Sequence, residues 1–329
     1  MAQVENERPP VEVLSKPSAD EKSADKLVEK LGPQLKQLVY NTRARRGFNA
    51  HGVHVVPANF YSVIPTFDDI ERSYEYDGSP APYDDRKVFD LDRLDATLAA
   101  MMPFAAEFEP AQSGSVERPK GYFWNNPAFS YSDAMSYYAF VRLWKPKLVL
   151  EIGSGFSTLV ASAAAERNRA EGVETRIVCI EPYPKPWLAE IPHVAEVIER
   201  PAQSFDADWF NERLGDGDVF FIDSTHVVKT GSDCAHLYLR ILPNLRRHIL
   251  LHAHDIFLPY GYPRAWLEEK SIFWNEQYIL YALLHGNPSL RVLFGSAIMR
   301  HHRMDALTSF MHGRSQPGGG SLWFEHVPA

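Results

Sequence analysis

Residues 148–158 read LVLEIGSGFST, and the fold turns on this stretch. All but one of its first five residues are apolar, with Lys145-Pro146 before them and a Gly-Ser-Gly turn after, which predicts a short buried strand at Leu148–Ile152. Gly153 and Gly155 let the backbone pass close to a ligand, and a helix opening at Ser157 turns its free N–H groups toward the same place. The next strand, in IVCIEPYP, ends on Glu181, a carboxylate positioned to accept both hydroxyls of a ribose. Glycine loop and acid, in that order, predict a nucleoside site. A dinucleotide fingerprint would need Gly or Ala where the chain has Thr158. Glu151, directly before the loop, is awkward beside a pyrophosphate but suits a cationic amino-acid head group.

Working outward, apolar β-rich runs alternate with helical patterns from Lys145-Pro146 onward, which is the signature of βαβ units and a parallel sheet. Strands are expected at Leu148–Ile152, Arg176–Ile180, Ala195–Glu199, Asp218–Asp223, His248–His254, Leu290–Phe294 and Leu322–His326. Helices are expected near Ser157–Arg167, Lys185–Ile191, Asp206–Leu214, Ser232–Leu242 and Asn275–His285. The Gly-rich turn from Pro317 to Gly320 suggests an antiparallel final hairpin. Upstream, Leu27, Leu31, Leu35 and Leu38 recur at helical spacing, interrupted by Gly32-Pro33. Further helices are expected over Leu91–Met102 and Ser132–Leu143. The expected organisation is a disordered tail over 1–20, a helical and aromatic cap over 21–120, and a catalytic domain over 121–329.

The ordered set Glu151-Ile152-Gly153-Ser154-Gly155, Glu181 and Asp223 in DVFFIDSTH resembles the motifs of class I S-adenosylmethionine-dependent methyltransferases, and the EIGSGFST and IDSTH versions are similar to a bacterial small-molecule O-methyltransferase-like subgroup. The resemblance implies an α/β, Rossmann-like seven-stranded, mostly parallel sheet of order 3-2-1-4-5-7-6, with S-adenosylmethionine over the carboxyl ends of strands 1 and 2. It also implies a cofactor set of Glu151, Gly153, Ser154, Gly155, Ser157, Glu181 and Asp223, with Gln203 and Ser204 after strand 3 at the place where many members reach the adenine.

Two neighbouring strand ends carry further chemistry: Asp223-Ser-Thr-His226 and His252-Ala-His254-Asp255. Alternation puts His252 and His254 on one face and Asp255 on the other. Asp223, His226, His254 and Asp255 are therefore the candidate catalytic residues. The favoured reading is methyl transfer to an O or N nucleophile of a small molecule, with a histidine as base near neutral pH. The alternative is a divalent metal held by the same four residues, lowering the acceptor's pKa. A non-catalytic nucleoside-binding partner and an NAD-dependent oxidoreductase are the readings of another class. The insertion after strand 5 reads as a lid, with the aromatic runs His54–Pro65 and Tyr122–Asp133 as the opposite wall; together they supply the substrate candidates Tyr61, Tyr122, Tyr260, Tyr262, Trp274 and Asn275, with Glu276 beside them. His301 and His302 read as a solvated face.

Composition bounds the rest. The 329 residues are 45% hydrophobic and 23% charged, with a formal net charge of -8, so broad binding to nucleic acid or anionic membrane is not expected. No apolar run is long enough for a bilayer span and the polar start lacks a secretory stretch, so a cytoplasmic protein is expected, with a homodimer as an option. The two cysteines, Cys179 and Cys234, read as buried reduced thiols.

Overall fold

β1 (Leu148–Ile152) is buried along its whole length, as a strand covered on both faces must be. In the computed structural model, which describes residues 19–78 and 80–328, it pairs in parallel with β2 (Arg176–Ile180) and β4 (Val219–Ile222). β2 continues in parallel to β3 (Val194–Ile198), and β4 to β5 (Ile249–Ala253). β7 (Leu322–His326) runs antiparallel between β5 and β6 (Leu290–Gly295). The sheet order is β3-β2-β1-β4-β5-β7-β6, as expected. Successive strands leave β1 in opposite directions, which opens a crevice at the carboxyl ends of β1 and β4.

The chain divides into two compact units. The first takes residues up to Asp77 and Pro263–Phe273. It holds α1 (Ala19–Leu38), α2 (Thr42–Ala50), α3 (Phe67–Glu71) and α9 (Arg264–Glu268). Asn41 caps α2 by accepting from the Ala44 N–H, and Thr66 and Asp69 form a capping box on α3. Where an interruption was expected at Gly32-Pro33, α1 runs through Pro33 unbroken. The tail expected at 1–20 lies, up to residue 18, outside the described residues.

The second unit takes Gly78–Tyr262 and the chain from Trp274 onward. It contains the sheet, α4 (Leu91–Glu107), α5 (Tyr131–Trp144), α6 (Phe156–Ala170), α7 (Ala207–Arg213), α8 (Asp233–His236), α10 (Glu276–Leu284), α11 (Ser296–His302) and α12 (Met304–Phe310). Residues 78–120, placed with the cap in the sequence reading, group by contacts with the sheet. The reason is packing: α4 buries Leu94, Leu98, Met101 and Ala105, and its main helical neighbour is α5. Three other expectations change. The proline-flanked segment 185–191 makes only one 3-10 turn, Leu188–Glu190, because prolines on either side supply no N–H for a longer ladder. The helix expected over Ser232–Leu242 changes after α8 to a π-type turn at Leu237–Ile241. Between β6 and β7, where the sequence suggested a hairpin closed by the Pro317–Gly320 turn, α11 and α12 intervene.

Arg142 ties three helices together. Its side chain is 3% exposed, with Nε and Nη2 each 2.5 Å from the carboxylates of Glu107 and Glu171, and it also donates to Asn168. These partners hold α4 and the far end of α6 onto α5. Arg142→Ala strands the buried polar groups it served, so we expect a loss of about 2–3 kcal/mol of unfolding free energy. Urea denaturation of wild type and variant measures it.

Candidate active site

The sheet ladder runs one residue past each of its central parallel strands. Glu181 N–H donates to the Ile198 carbonyl, Gly153 N–H to Ile180, Asp223 N–H to Ile152 and His254 N–H to Ile222, at 2.8–3.1 Å. Those bonds set Glu181, Gly153, Asp223 and His254 in one row along the carboxyl edge. At Gly153, φ is +76°, and a Cβ would lie 2.1 Å from the Asp223 carbonyl oxygen. Only glycine fits both the left-handed conformation and that approach. A Cβ on Gly155, by contrast, would meet nothing within 4 Å. A cavity of about 250 Å³ opens here, lined by Ala128, Phe129, Gly153, Ser154, Gly155, Phe156, Ser157, Glu181, Asp223 and Ser224.

Glu181 is half-buried; one oxygen accepts from Ser154 N–H at 3.3 Å and the other from Tyr183 N–H at 2.8 Å. Each oxygen keeps acceptor capacity toward the cavity. Glu151, expected to meet a cationic head group, does something else. It is fully buried and does not line the cavity. It accepts from the Tyr137 hydroxyl at 2.8 Å and the Thr158 hydroxyl at 2.5 Å, and Thr158 Oγ1 in turn accepts from Gly155 N–H at 3.0 Å. Burial pushes its carboxyl up to about 7, against the lowering hydrogen bonds from Thr158 and Tyr137. Glu151 thus braces the glycine loop from below. Gln203 and Ser204 also lie outside the cavity lining; Gln203 donates its amide to the Gly231 carbonyl at 3.0 Å.

Beside the cavity, Asp223 reaches the histidines. Its Oδ1 lies 3.3 Å from His226 Nε2 and 3.5 Å from His254 Nδ1. Asp255 Oδ2 lies 3.6 Å from His226 Nε2 and 3.7 Å from His254 Nδ1. The four expected catalytic residues therefore do converge. Two buried acids complete the set. Glu276 accepts from His226 Nδ1 at 2.8 Å and from the Tyr238 hydroxyl at 2.5 Å. Asp133 sits 3.3 Å from His254 Nε2 and accepts from Ser296 Oγ, Gly320 N–H and Ser321 N–H. Burial alone would lower the His226 pKa, but hydrogen bonds to Asp223 and Glu276 outweigh it and raise it to about 10. For Asp223, burial works upward, yet His254 and His226 hold its carboxyl far below the usual range. His252, fully buried under Phe221, bonds Ser321 Oγ at 2.8 Å, and burial keeps it neutral.

Residues 150–256 match the family model described as a methyltransferase domain. That stretch runs from β1 to just past β5, and so includes the glycine loop, Glu181, Asp223 and both histidines of the site. An uncharacterised protein of Archaeoglobus fulgidus is 29% identical over 159 residues, covering 47% of this chain and 71% of that protein. Among solved structures, an O-methyltransferase from Bacillus cereus in complex with SAH gives a TM-score of 0.34 at 15% identity, covering 71% of this chain and 91% of that one. A putative methyltransferase from Thermobifida fusca gives 0.34 at 9% identity, covering 73% and 95%.

Around the site, the aromatic substrate candidates scatter. Trp274 packs on His226, with ring centroids 4.2 Å apart. Asn275 accepts from Val228 N–H at 2.6 Å and donates its own N–H to the His226 carbonyl, so it fixes the loop bearing His226. Tyr122 is buried and donates to the Phe129 carbonyl, while Tyr262 is buried with its hydroxyl accepting from Gln277 N–H. Tyr260 reaches His301 instead of the cavity. Tyr61 is 81% exposed and belongs to the first unit. Of His301 and His302, read as a solvated face, His301 is exposed and His302 half-buried, and both have Nε2 toward Asp84. The lining residues Ala128 and Phe129, and Asp133, were not singled out in the sequence. The run 122–133 signalled an aromatic wall without saying which members face the ligand.

Gly153→Ala should destabilise the domain by roughly 2–4 kcal/mol, combining left-handed strain with overpacking against the Asp223 carbonyl. Gly155→Ala, with open space above it, should leave stability within about 1 kcal/mol while intruding on the cavity. Thermal or urea unfolding of the two variants side by side checks the contrast.

Proposed function

We propose that this chain transfers a methyl group from S-adenosylmethionine to an oxygen or nitrogen of a small-molecule acceptor at the cavity's Asp223 end. The observation that carries the reading is that Asp223 lines the glycine-loop cavity and also touches both histidines, so cofactor and proton-handling groups meet at one carboxylate. The residues present fit the cofactor: Gly153 and Gly155 leave the backbone bare, and Glu181 offers acceptor oxygens suited to ribose hydroxyls. S-adenosylmethionine, when bound, supplies a methyl group on a positively charged sulfur that leaves with the carbon–sulfur electron pair.

The chain's own residues align the acceptor and take its proton. His226 donates its Nδ1–H to Glu276, which fixes the ring and leaves Nε2 toward Asp223 and Asp255. With its pKa raised to about 10, His226 carries a proton at pH 7, and its neutral, basic form gains population only as pH rises. A base role therefore gives a rate that climbs with pH well past 6.5, toward about 10. A second reading is supported by one distance. Asp223, His226 and Asp255 each offer a ligand atom within 4.8 Å of the others. A divalent ion there would replace the proton between them and lower the acceptor's pKa directly.

Two measurements test the proposal. In calorimetry, the wild type should bind S-adenosylhomocysteine, and Glu181→Ala should weaken that binding by on the order of 1.5–3 kcal/mol through the lost ribose hydrogen bonds. No binding by the wild type removes the cofactor assignment. His226→Ala should lower turnover by roughly 100- to 10,000-fold with cofactor affinity nearly unchanged. Chelator sensitivity of the wild-type rate selects the metal reading, and an alkaline-rising profile indifferent to chelator selects the base. Full activity in His226→Ala, untouched by chelator, eliminates both.

A further inference from the structure

A second group of metal-ligating side chains sits apart from the cavity lining, on Asp84, His301 and His302. His302 Nε2 lies 3.1 and 3.0 Å from the two oxygens of Asp84, and His301 Nε2 lies 3.9 Å from Asp84 Oδ2. Each residue offers one ligand atom within 4.8 Å of the other two. Adjacent side chains on a regular helix point about 100° apart. At the end of α11 their rings nevertheless approach to 4.3 Å between centroids, and both Nε2 atoms face Asp84. The Tyr260 hydroxyl lies 2.6 Å from His301 Nδ1, so Nε2 is the nitrogen left facing Asp84. An outer partner that fixes a histidine ring in this way is a usual accompaniment of metal ligation.

We propose that Asp84, His301 and His302 bind a zinc-class divalent transition-metal ion. Two imidazole nitrogens and one carboxylate oxygen suit zinc, cobalt or nickel better than magnesium or calcium, which prefer oxygen. Three protein ligands leave one tetrahedral position for water. The ion would stitch the segment before α4 to the end of α11, where His285 already pairs with Asp85 at 3.1 Å and Arg303 with Asp95 at 2.8 Å. One neighbour opposes it. The Arg86 guanidinium lies 3.4 Å from His302 Nε2 and 3.7 Å from Asp84 Oδ2. It is half-exposed and free to swing into water, so it acts as a competing cation rather than a block.

That competition makes the proposal sharply testable. Full-length chain stripped with chelator is titrated with zinc by calorimetry, and with cobalt by visible absorption. The His301→Ala/His302→Ala double variant should bind one zinc equivalent fewer than wild type and lose the cobalt band of a nitrogen–oxygen site. It should also lose the rise in melting temperature that zinc gives the wild type. Arg86→Ala should bind that equivalent several-fold more tightly, because the rival charge is gone. If the double variant does not fold, Asp84→Asn, which keeps the side chain's shape, should weaken zinc at least tenfold. Equal zinc stoichiometry and affinity in wild type and ligand variants overturns the proposal. So does weaker binding in Arg86→Ala, the result a simple ion-pair network would give. The cavity-side residues are intact in all of these proteins, so an ion bound there is common to every titration and cancels in the comparison.

Discussion

Four backbone hydrogen bonds, each made one residue beyond a strand end, set the level of everything that matters chemically here. They place Glu181, Gly153, Asp223 and His254 in a row, so residues from four different strands share one edge without any loop having to be rigid on its own account. Strand register, enforced by burial of β1, β4 and β5 along their whole length, thereby becomes positional accuracy for side chains. A slip of one residue would send each of these side chains to the opposite face. Gly153 is the place where that constraint is tightest, since the loop and the Asp223 carbonyl compete for the same volume.

Charge is the second organising theme. Asp133, Asp223, Asp255 and Glu276 surround only His226 and His254. Four carboxyl groups around two imidazoles in a largely buried setting demand positive charge nearby. The protein meets part of that demand with protonated histidine, and part by neutralising carboxyls: burial raises the Asp255 pKa above the ordinary value. A base and a metal-binding site are thus two ways of filling the same electrostatic deficit, and this is why the residues alone suit both.

The sheet was legible because its signals are local. Short apolar runs between glycine and proline punctuation located all seven strands to within a residue or two, and the glycine loop with Glu181 located the cavity. What could not be read depends on long-range partners. Glu151 looks like a ligand contact because it abuts the loop, yet Tyr137, from α5, turns it into a buried brace. Asp133 and Glu276 sit in aromatic stretches whose composition announces packing, while their roles come from His254 and His226, far away in sequence. His301 and His302 lie among arginines, and only the fold brings Asp84 to them. Helices α11 and α12 are hard to read because the polar run Arg300-His301-His302-Arg303 interrupts the apolar pattern where they meet.

The Gly318–Gly320 run also has a consequence for how the protein is made. A Cβ on Gly319 would stand 2.3 Å from the Asp133 carboxylate, and the N–H groups of Gly320 and Ser321 are that carboxylate's donors. On the ribosome, Asp133 emerges long before these partners are synthesised. Until they arrive, a carboxylate meant for the interior has neither its backbone donors nor the wall that screens it from water. His254 then keeps Asp223 and Asp255 on its Nδ1 side, while the carboxylate on its Nε2 side waits for its donors. The Asp133 side of this edge is thus completed by a segment 187 residues further along the chain, although none of that segment's glycines has a side chain to contribute.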